Sequence, residues 1–210
     1  MAIVLITHEE SQTVMEAFLN EGHDAYSNDL LACSGKYPER HLRMDCFEAI
    51  NLIKPDFLGM HPECTRLTVA ANKYYGEKYA DSFPNIHKER EQAVGHFIKC
   101  AEALERIGKG YIENPIGIMS RLYKKPTQII QPYMFGHTER KSTCLWIEGL
   151  IKLIPTEMVE PDIIVHKSGR TDSRLHYETF KLPKEERRKA RSKTFEGIAI
   201  AMAKQWGGFL

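Results

Sequence analysis

The sequence contains no apolar run approaching the roughly 18 residues of a membrane-spanning helix, so no transmembrane helix is expected. Met1 leads straight into an apolar stretch with no basic flank or cleavage site, as expected of a cytoplasmic chain. Charge of one sign is also missing, since 29 Lys and Arg stand against 28 Asp and Glu and leave a formal net charge of +1. No global field recruits nucleic acid, and any such binding must rest on a local patch. The five cysteines are an odd number without a C-x-x-C pair, which fits free thiols in a reducing compartment rather than a disulfide framework. A G-x-S-x-G elbow and a P-loop are absent, setting aside the hydrolase and nucleotide chemistries those motifs carry. His61 and Cys64 are close in sequence, with Cys33, His41 and Cys46 upstream, but no C-x-x-C or H-x-x-x-H spacing completes a four-ligand set, and no metal is expected.

What is present is enough for one sizeable core. The 210 residues are 42% hydrophobic and 27% charged, ordinary for a globular chain and too few for two complete domains. Residues 2–6 form a short, nearly all-apolar run, the pattern of a parallel strand covered on both faces. Val14, Met15, Phe18 and Leu19 then recur at helical spacing, with Ser11 as the expected N-cap and Gly22 as the stop. Residues 23–27 read as a second strand, 46–53 as a helix ending before Pro55, and 56–60 as a third strand. Residues 65–84, rich in Tyr and Lys, have little periodicity and read as an active-site loop or lid. Its Tyr74, Tyr75 and Tyr79 either stack on a base or pack the loop down.

A helical stripe runs through Ala93, Val94, Phe97, Ile98, Ala101 and Leu104, and strands are expected around 111–112 and 142–147. Residues 156–190 are polar and poorly patterned, and 195–206 read as a final amphipathic helix. The expected architecture is a single α/β domain over 1–210, a three-layer sandwich with a mostly parallel, Rossmann-like sheet and helices on both faces. Residues 156–190 would then be a short polar insertion.

Two strands in this scheme end on chemistry. One runs into His61-Pro62-Glu63-Cys64-Thr65 and another into Glu113-Asn114-Pro115. In an open α/β sheet the carboxyl ends of neighbouring strands face one crevice, so a thiol and a carboxylate can stand side by side. A thiolate can add to a pyrimidine ring while a carboxyl group holds or protonates the ring nitrogen. Asp29, about twenty residues past the first loop, and Asp45 either approach a cofactor or form turns and caps.

These segments resemble motifs of the cytosine-5 DNA methyltransferases, and more closely the short phage and prophage proteins grouped with them. In that family a Pro-Cys dipeptide carries the nucleophile and a Glu-Asn-Val segment the carboxylate. Gln131-Pro132-Tyr133 with Phe135-Gly136-His137-Thr138-Glu139-Arg140-Lys141 is similar to the arginine-bearing motif, and Arg191-Ser192-Lys193-Thr194-Phe195-Glu196-Gly197-Ile198-Ala199 to the closing one. The resemblance implies a methyltransferase-type sheet, S-adenosylmethionine as cofactor, and methyl transfer to carbon five of cytosine in DNA through a Cys64 adduct in a bacterial host. It assigns Cys64, Glu113 and Arg140 to catalysis, with His61, Pro62, Thr65, Asn114 and Lys141 around the substrate. Thr7, His8, Ser11, Asp29 and Asp45 fall on the cofactor side.

The first loop reads Thr7-His8-Glu9-Glu10-Ser11 where a glycine-rich turn is expected, and residues 155–189 leave little room for a target-recognition module. Lys167, Arg170 and Arg174 are the candidate phosphate contacts, and the stretch 184–193 is either a basic patch that joins them or a solvated helix face of mixed charge. The substrate is then DNA, single-stranded DNA included, or a cytidine nucleotide. Two other readings stay open: cysteine-dependent modification of a free pyrimidine nucleotide without the methyl donor, and a methyltransferase-like binding protein without catalysis.

Overall fold

The computed structural model describes residues 1–210, apart from the side chains of Lys184, Glu185, Arg188 and Lys189. The basic stretch 184–193 therefore lies in part outside the described residues, as does the Arg188 end of the expected phosphate surface. Strand β1 (Ile3–Thr7) is followed by helix α1 (Thr13–Asn20) and β2 (Asp24–Asn28), a β-α-β unit with β1 and β2 parallel. The two-residue β3 (His41–Leu42) extends the edge, and α2 (Cys46–Ile53) leads to β4 (Phe57–Met60). The long α3 (Ile86–Ile107) returns to β5 (Gly110–Pro115). Short α4 (Met119–Leu122) and β6 (Gln128–Ile130) precede β7 (Thr143–Glu148).

The sheet order is β3-β2-β1-β4-β5-β7-β6. Strands β3 to β5 are parallel, and β7 lies antiparallel between β5 and β6. The run 3-2-1-4-5 is that of a doubly wound fold, whose ligands bind beyond the carboxyl ends of the strands. Alternation along each strand divides the core in two. Val4, Ile6, Phe57 and Tyr111 join α1 and the last helix, α7 (Glu196–Gly207), in one cluster. Leu5, Leu58, Met60 and Ile112 join α2 and α3 in the other.

Local signals account for most helix ends. Asp45 caps α2 by accepting from Phe47 N and Glu48 N, as its placement in the sequence allowed. Gly108, at φ 77°, closes α3 in the left-handed conformation. The start of α1 differs from expectation. Ser11 does not cap it; its hydroxyl instead meets Thr13 Oγ1 at 3.2 Å. The buried carboxylate of Glu9 accepts from Val14 N at 2.7 Å and Met15 N at 3.1 Å, so a residue five positions upstream occupies the helix N-terminus.

The region 156–190 is not without pattern. It contains the hairpin β8 (Ile163–Val165) and β9 (Thr171–Ser173), then α5 (Arg174–Thr179) and α6 (Lys184–Ser192). The two strands and α5 are too short for a period to be read in sequence. The segment 65–84 likewise holds two 3-10 helices, at Val69–Tyr75 and Glu77–Tyr79. Its aromatics pack on themselves: Tyr74 lies 5.3 Å from Tyr79 and 5.2 Å from Phe83, while Arg90 covers Tyr75 at 3.3 Å. The packing alternative is the one the structure adopts. No helix among the described residues is long and apolar enough to cross a membrane.

Gly110 joins β4 to β5 with no room to spare. Its φ is 146°, and a Cβ there would lie 2.0 Å from the Leu58 carbonyl oxygen. Gly110→Ala therefore combines backbone strain with a clash inside the central pairing and is expected to cost about 3 kcal/mol. For a chain of this size the melting temperature should fall by roughly 6–12 °C. A thermal melt indistinguishable from wild type would contradict the close approach.

Candidate functional site

Parallel pairing of β4 with β5 sets Leu58 against Gly110, Gly59 against Tyr111 and Met60 against Ile112. Both chains leave the sheet at the same end, so the segment carrying Cys64 emerges beside Glu113. Hydrogen bonds hold the two ends together. Asn114, 2% exposed, donates from Nδ2 to the Pro62 carbonyl at 2.9 Å. His61 N–H donates to Thr7 O at 3.2 Å, and its Nε2 is hydrogen bonded to the Tyr111 hydroxyl at 2.7 Å. Beyond Cys64 the chain turns tightly, with Leu67 N and Thr68 N both donating to the Cys64 carbonyl. Thr65 donates its hydroxyl to the Glu63 carboxylate, which is exposed.

The electrostatics follow from this enclosure. Burial first, then the Glu113 charge, then Glu63, push the Cys64 thiol up to about 11, and Lys141 opposes them. Burial also raises the Glu113 carboxyl above its ordinary range, again moderated by Lys141. Burial carries His61 down to about 3, with the charges of His8 and Lys141 adding to the effect. Near neutral pH the site thus holds a protonated thiol, a neutral imidazole and a carboxyl group that keeps its proton more readily than usual. Such a carboxyl can donate to a ring nitrogen, and a nearby lysine helps form the thiolate.

Lys141 is the cation whose charge reaches Cys64, Glu113 and His61. Arg140 is exposed and reaches Thr171 Oγ1 at 3.5 Å. It lines a polar cleft of about 240 Å³ with Gln131, Ser142, Thr171, Asp172, Ser173 and His176. Cys64 and Glu113 are not among the residues lining this cleft. Asn114 Oδ1 and Gln131 Oε1 are buried acceptors without a hydrogen-bond partner among the described residues. One belongs to the clamp on Pro62 and the other borders the cleft.

The cofactor-side residues are dispersed among several tasks. Thr7 Oγ1 is 3.0 Å from His8 Nδ1. His8 adopts φ 59°, unusual for a residue with a side chain, and its ring faces His96. Asp29 directly follows β2 and accepts from Leu31 N at 2.8 Å, a local turn. Asp45 is the helix cap described above. Glu9 is pushed up to about 8, chiefly by burial, with the bonds from Val14 and Met15 working the other way.

Two of the expected phosphate contacts already have anionic partners. Arg170 pairs with Asp172 at 2.6 Å, and Arg174 pairs with Asp162 and Glu178. Cys46 does not join His61, Cys64, Cys33 or His41. His41 is engaged by Ser27 Oγ and the Leu31 carbonyl, whereas Cys46 meets His8, His96 and Cys100, whose ligand atoms all lie within 4.8 Å of one another. Sequence reasoning overlooked His96 and Cys100. Their i, i+4 spacing on α3 was a usable signal, but a mixed His–Cys pair is not one of the familiar motifs. Lys141 was singled out, although its electrostatic reach was not legible.

The reactivity of Cys64 provides a direct check on the enclosure. Alkylation by iodoacetamide, followed at this residue by peptide mass spectrometry, should be slow at pH 8 and climb roughly tenfold per pH unit until about 11. Lys141→Ala removes the one opposing charge and should slow the reaction several-fold at fixed pH. Glu113→Gln should quicken it. A rate that levels off near pH 8.5, or that Lys141→Ala leaves alone, would contradict these electrostatics.

No protein-family model matches the chain, and no curated protein matches it. The functional reading therefore rests on the residues of this site.

Proposed function

We propose that the protein is a cytosine-modifying enzyme of the three-layer methyltransferase type, which transfers a methyl group to carbon five of cytosine in DNA through an adduct on Cys64. The observation that carries this reading is the pairing of Cys64 with a proton-retaining Glu113 at the ends of adjacent parallel strands. Cys64 adds its sulfur to carbon six of the ring, and Glu113 donates to the ring nitrogen, drawing electron density so that carbon five becomes nucleophilic. Lys141 favours the thiolate from which this addition starts. His61 and Asn114 position the turn that carries Cys64, through Tyr111 and the Pro62 carbonyl. After carbon five has taken the methyl group, its hydrogen leaves as a proton to solvent, the ring-nitrogen proton returns to Glu113, and the thiolate is expelled.

The cofactor side supports a donor without phosphate. In doubly wound folds the first helix N-terminus receives a phosphate, but here the side-chain carboxyl group of Glu9 fills that position on α1. A pyrophosphate-bearing cofactor is disfavoured there. S-adenosylmethionine has no phosphate and, when bound, supplies an electrophilic methyl group. Thr7 ends β1, Ser11 lies in the loop that follows it and Asp29 directly follows β2, on the side of the sheet where it would be held.

A second reading, modification of a free cytidine nucleotide, is favoured by one observation. Arg170 and Arg174 are engaged by carboxylates, so a DNA backbone crossing them must displace Asp172 and Asp162.

One experiment tests the chemistry and separates the substrates. Incubation with S-adenosylmethionine and an oligonucleotide containing 5-fluorocytosine should give a denaturation-resistant complex, because fluorine cannot leave as a proton does. Cys64→Ser should abolish the complex while preserving the fold. Trapping by a fluorinated nucleotide but not by any oligonucleotide would move the assignment to the second reading. Trapping by neither, or by Cys64→Ser as well as wild type, would defeat both.

A further inference from the structure

Four soft donor atoms converge at the other end of the first loop. His8 directly follows β1, Cys46 is the first residue of α2, and His96 and Cys100 are one turn apart on α3. Three segments distant in sequence therefore meet at one point, where every pair of ligand atoms is within 4.8 Å. His8 Nε2 is 3.0 Å from His96 Nε2, and His96 Nε2 is 3.6 Å from Cys100 Sγ. We propose that His8, Cys46, His96 and Cys100 bind a zinc ion as a closed, tetrahedral two-histidine, two-cysteine site that fastens the first loop to α2 and α3.

The distances suit that ion. With Zn–N near 2.0–2.1 Å and Zn–S near 2.3 Å, ligand atoms around a tetrahedral zinc stand about 3.3–3.8 Å apart. The nitrogen pair and the nitrogen–sulfur pair lie close to this range, and the widest separation needs a contraction of only about 1 Å. Two thiolates and two imidazoles select zinc over calcium or magnesium, which prefer oxygen ligands. Four protein ligands leave no open position, so the site is structural rather than catalytic.

Hydrogen bonding alone satisfies the cluster poorly. A neutral imidazole nitrogen has one proton or one lone pair, yet His96 Nε2 faces both His8 Nε2 and Cys100 Sγ. A cation among the four satisfies every donor atom at once. The surroundings are arranged to present them. The contact between Thr7 Oγ1 and His8 Nδ1, at 3.0 Å, orients the ring and leaves Nε2 directed at the cluster. Phe47 lies 5.6 Å from the His96 ring, edge on. Cys46 and Cys100 are buried, and the two histidines half-buried.

The site also accounts for a departure in the first loop. A glycine would adopt φ 59° without strain, but position 8 is histidine in that conformation. Strain of this kind is retained where a residue has a task, and a metal bond supplies one. The inference is independent of the proposed methyl transfer, since zinc binding is read without substrate or activity.

The test is metal content of the full chain, produced with zinc in the medium and purified under reducing conditions. One zinc per chain is expected for wild type, Cys33→Ser and Cys64→Ser. Cys100→Ser and His96→Ala should each weaken zinc affinity by roughly a hundredfold or more in competition with a chromogenic chelator. Equal zinc in wild type and Cys100→Ser would overturn the site, as would a wild-type chain that takes up no zinc. Should the variants fail to fold, cobalt titration of the wild-type chain decides. Tetrahedral ligand-field absorption with thiolate charge transfer supports the site; a spectrum without both refutes it.

Discussion

The parallel pairing of β4 and β5 is the constraint from which the rest of the site follows. It requires a residue without a side chain at position 110, because the Leu58 carbonyl occupies the space a Cβ would take. Once the pairing forms, both strands discharge at the same end of the sheet, and Cys64 comes near enough to Glu113 for that charge to act on its thiol. The Asn114 bond to the Pro62 carbonyl then converts a flexible exit into a fixed turn. Sheet register thus becomes chemical geometry, with one buried amide as the link.

Enclosure at that point sets the electrostatic character of the site. Burial disfavours both the thiolate and the carboxylate, and the Glu113 charge raises the thiol further. Lys141 is the counterweight, acting on both groups as well as on His61. The same logic of buried carboxyl groups appears on the first loop, where Glu9 closes α1 from within the chain. The loop is therefore shaped by two anchors, a carboxylate on the helix N-terminus and a histidine directed at α3. A glycine-rich loop would provide neither.

What could be read from the sequence was whatever had a local cause. Helix α2 was legible because Asp45 caps it and Pro55 follows it, and α3 because its apolar stripe ends at Gly108. The buried strands β1, β4 and β5 were legible as apolar runs, and the last two led to Cys64 and Glu113. Strands of two or three residues, such as β3, β6, β8 and β9, derive their stability from neighbours and leave no period to detect. The cap on α1 was misassigned to Ser11 for a related reason, since Glu9 reaches its targets through the fold of the loop. The cluster of His8, Cys46, His96 and Cys100 depends on three elements meeting in space, and only the last two residues are neighbours on one helix face.

The central claim is that Cys64, assisted by Glu113, adds reversibly to a cytosine ring. Addition at carbon six leaves carbon five able to take up a solvent proton, and elimination of the thiolate then returns cytosine with exchanged hydrogen. Exchange of the carbon-five hydrogen in deuterated buffer, measured by mass spectrometry on both an oligonucleotide and a cytidine nucleotide, therefore reports on the pair without requiring a methyl donor. The account predicts exchange with wild-type protein on at least one substrate, none with Cys64→Ser, and a reduction of roughly a hundredfold or more with Glu113→Gln. Absence of exchange on both substrates, or undiminished exchange with Cys64→Ser, would contradict it.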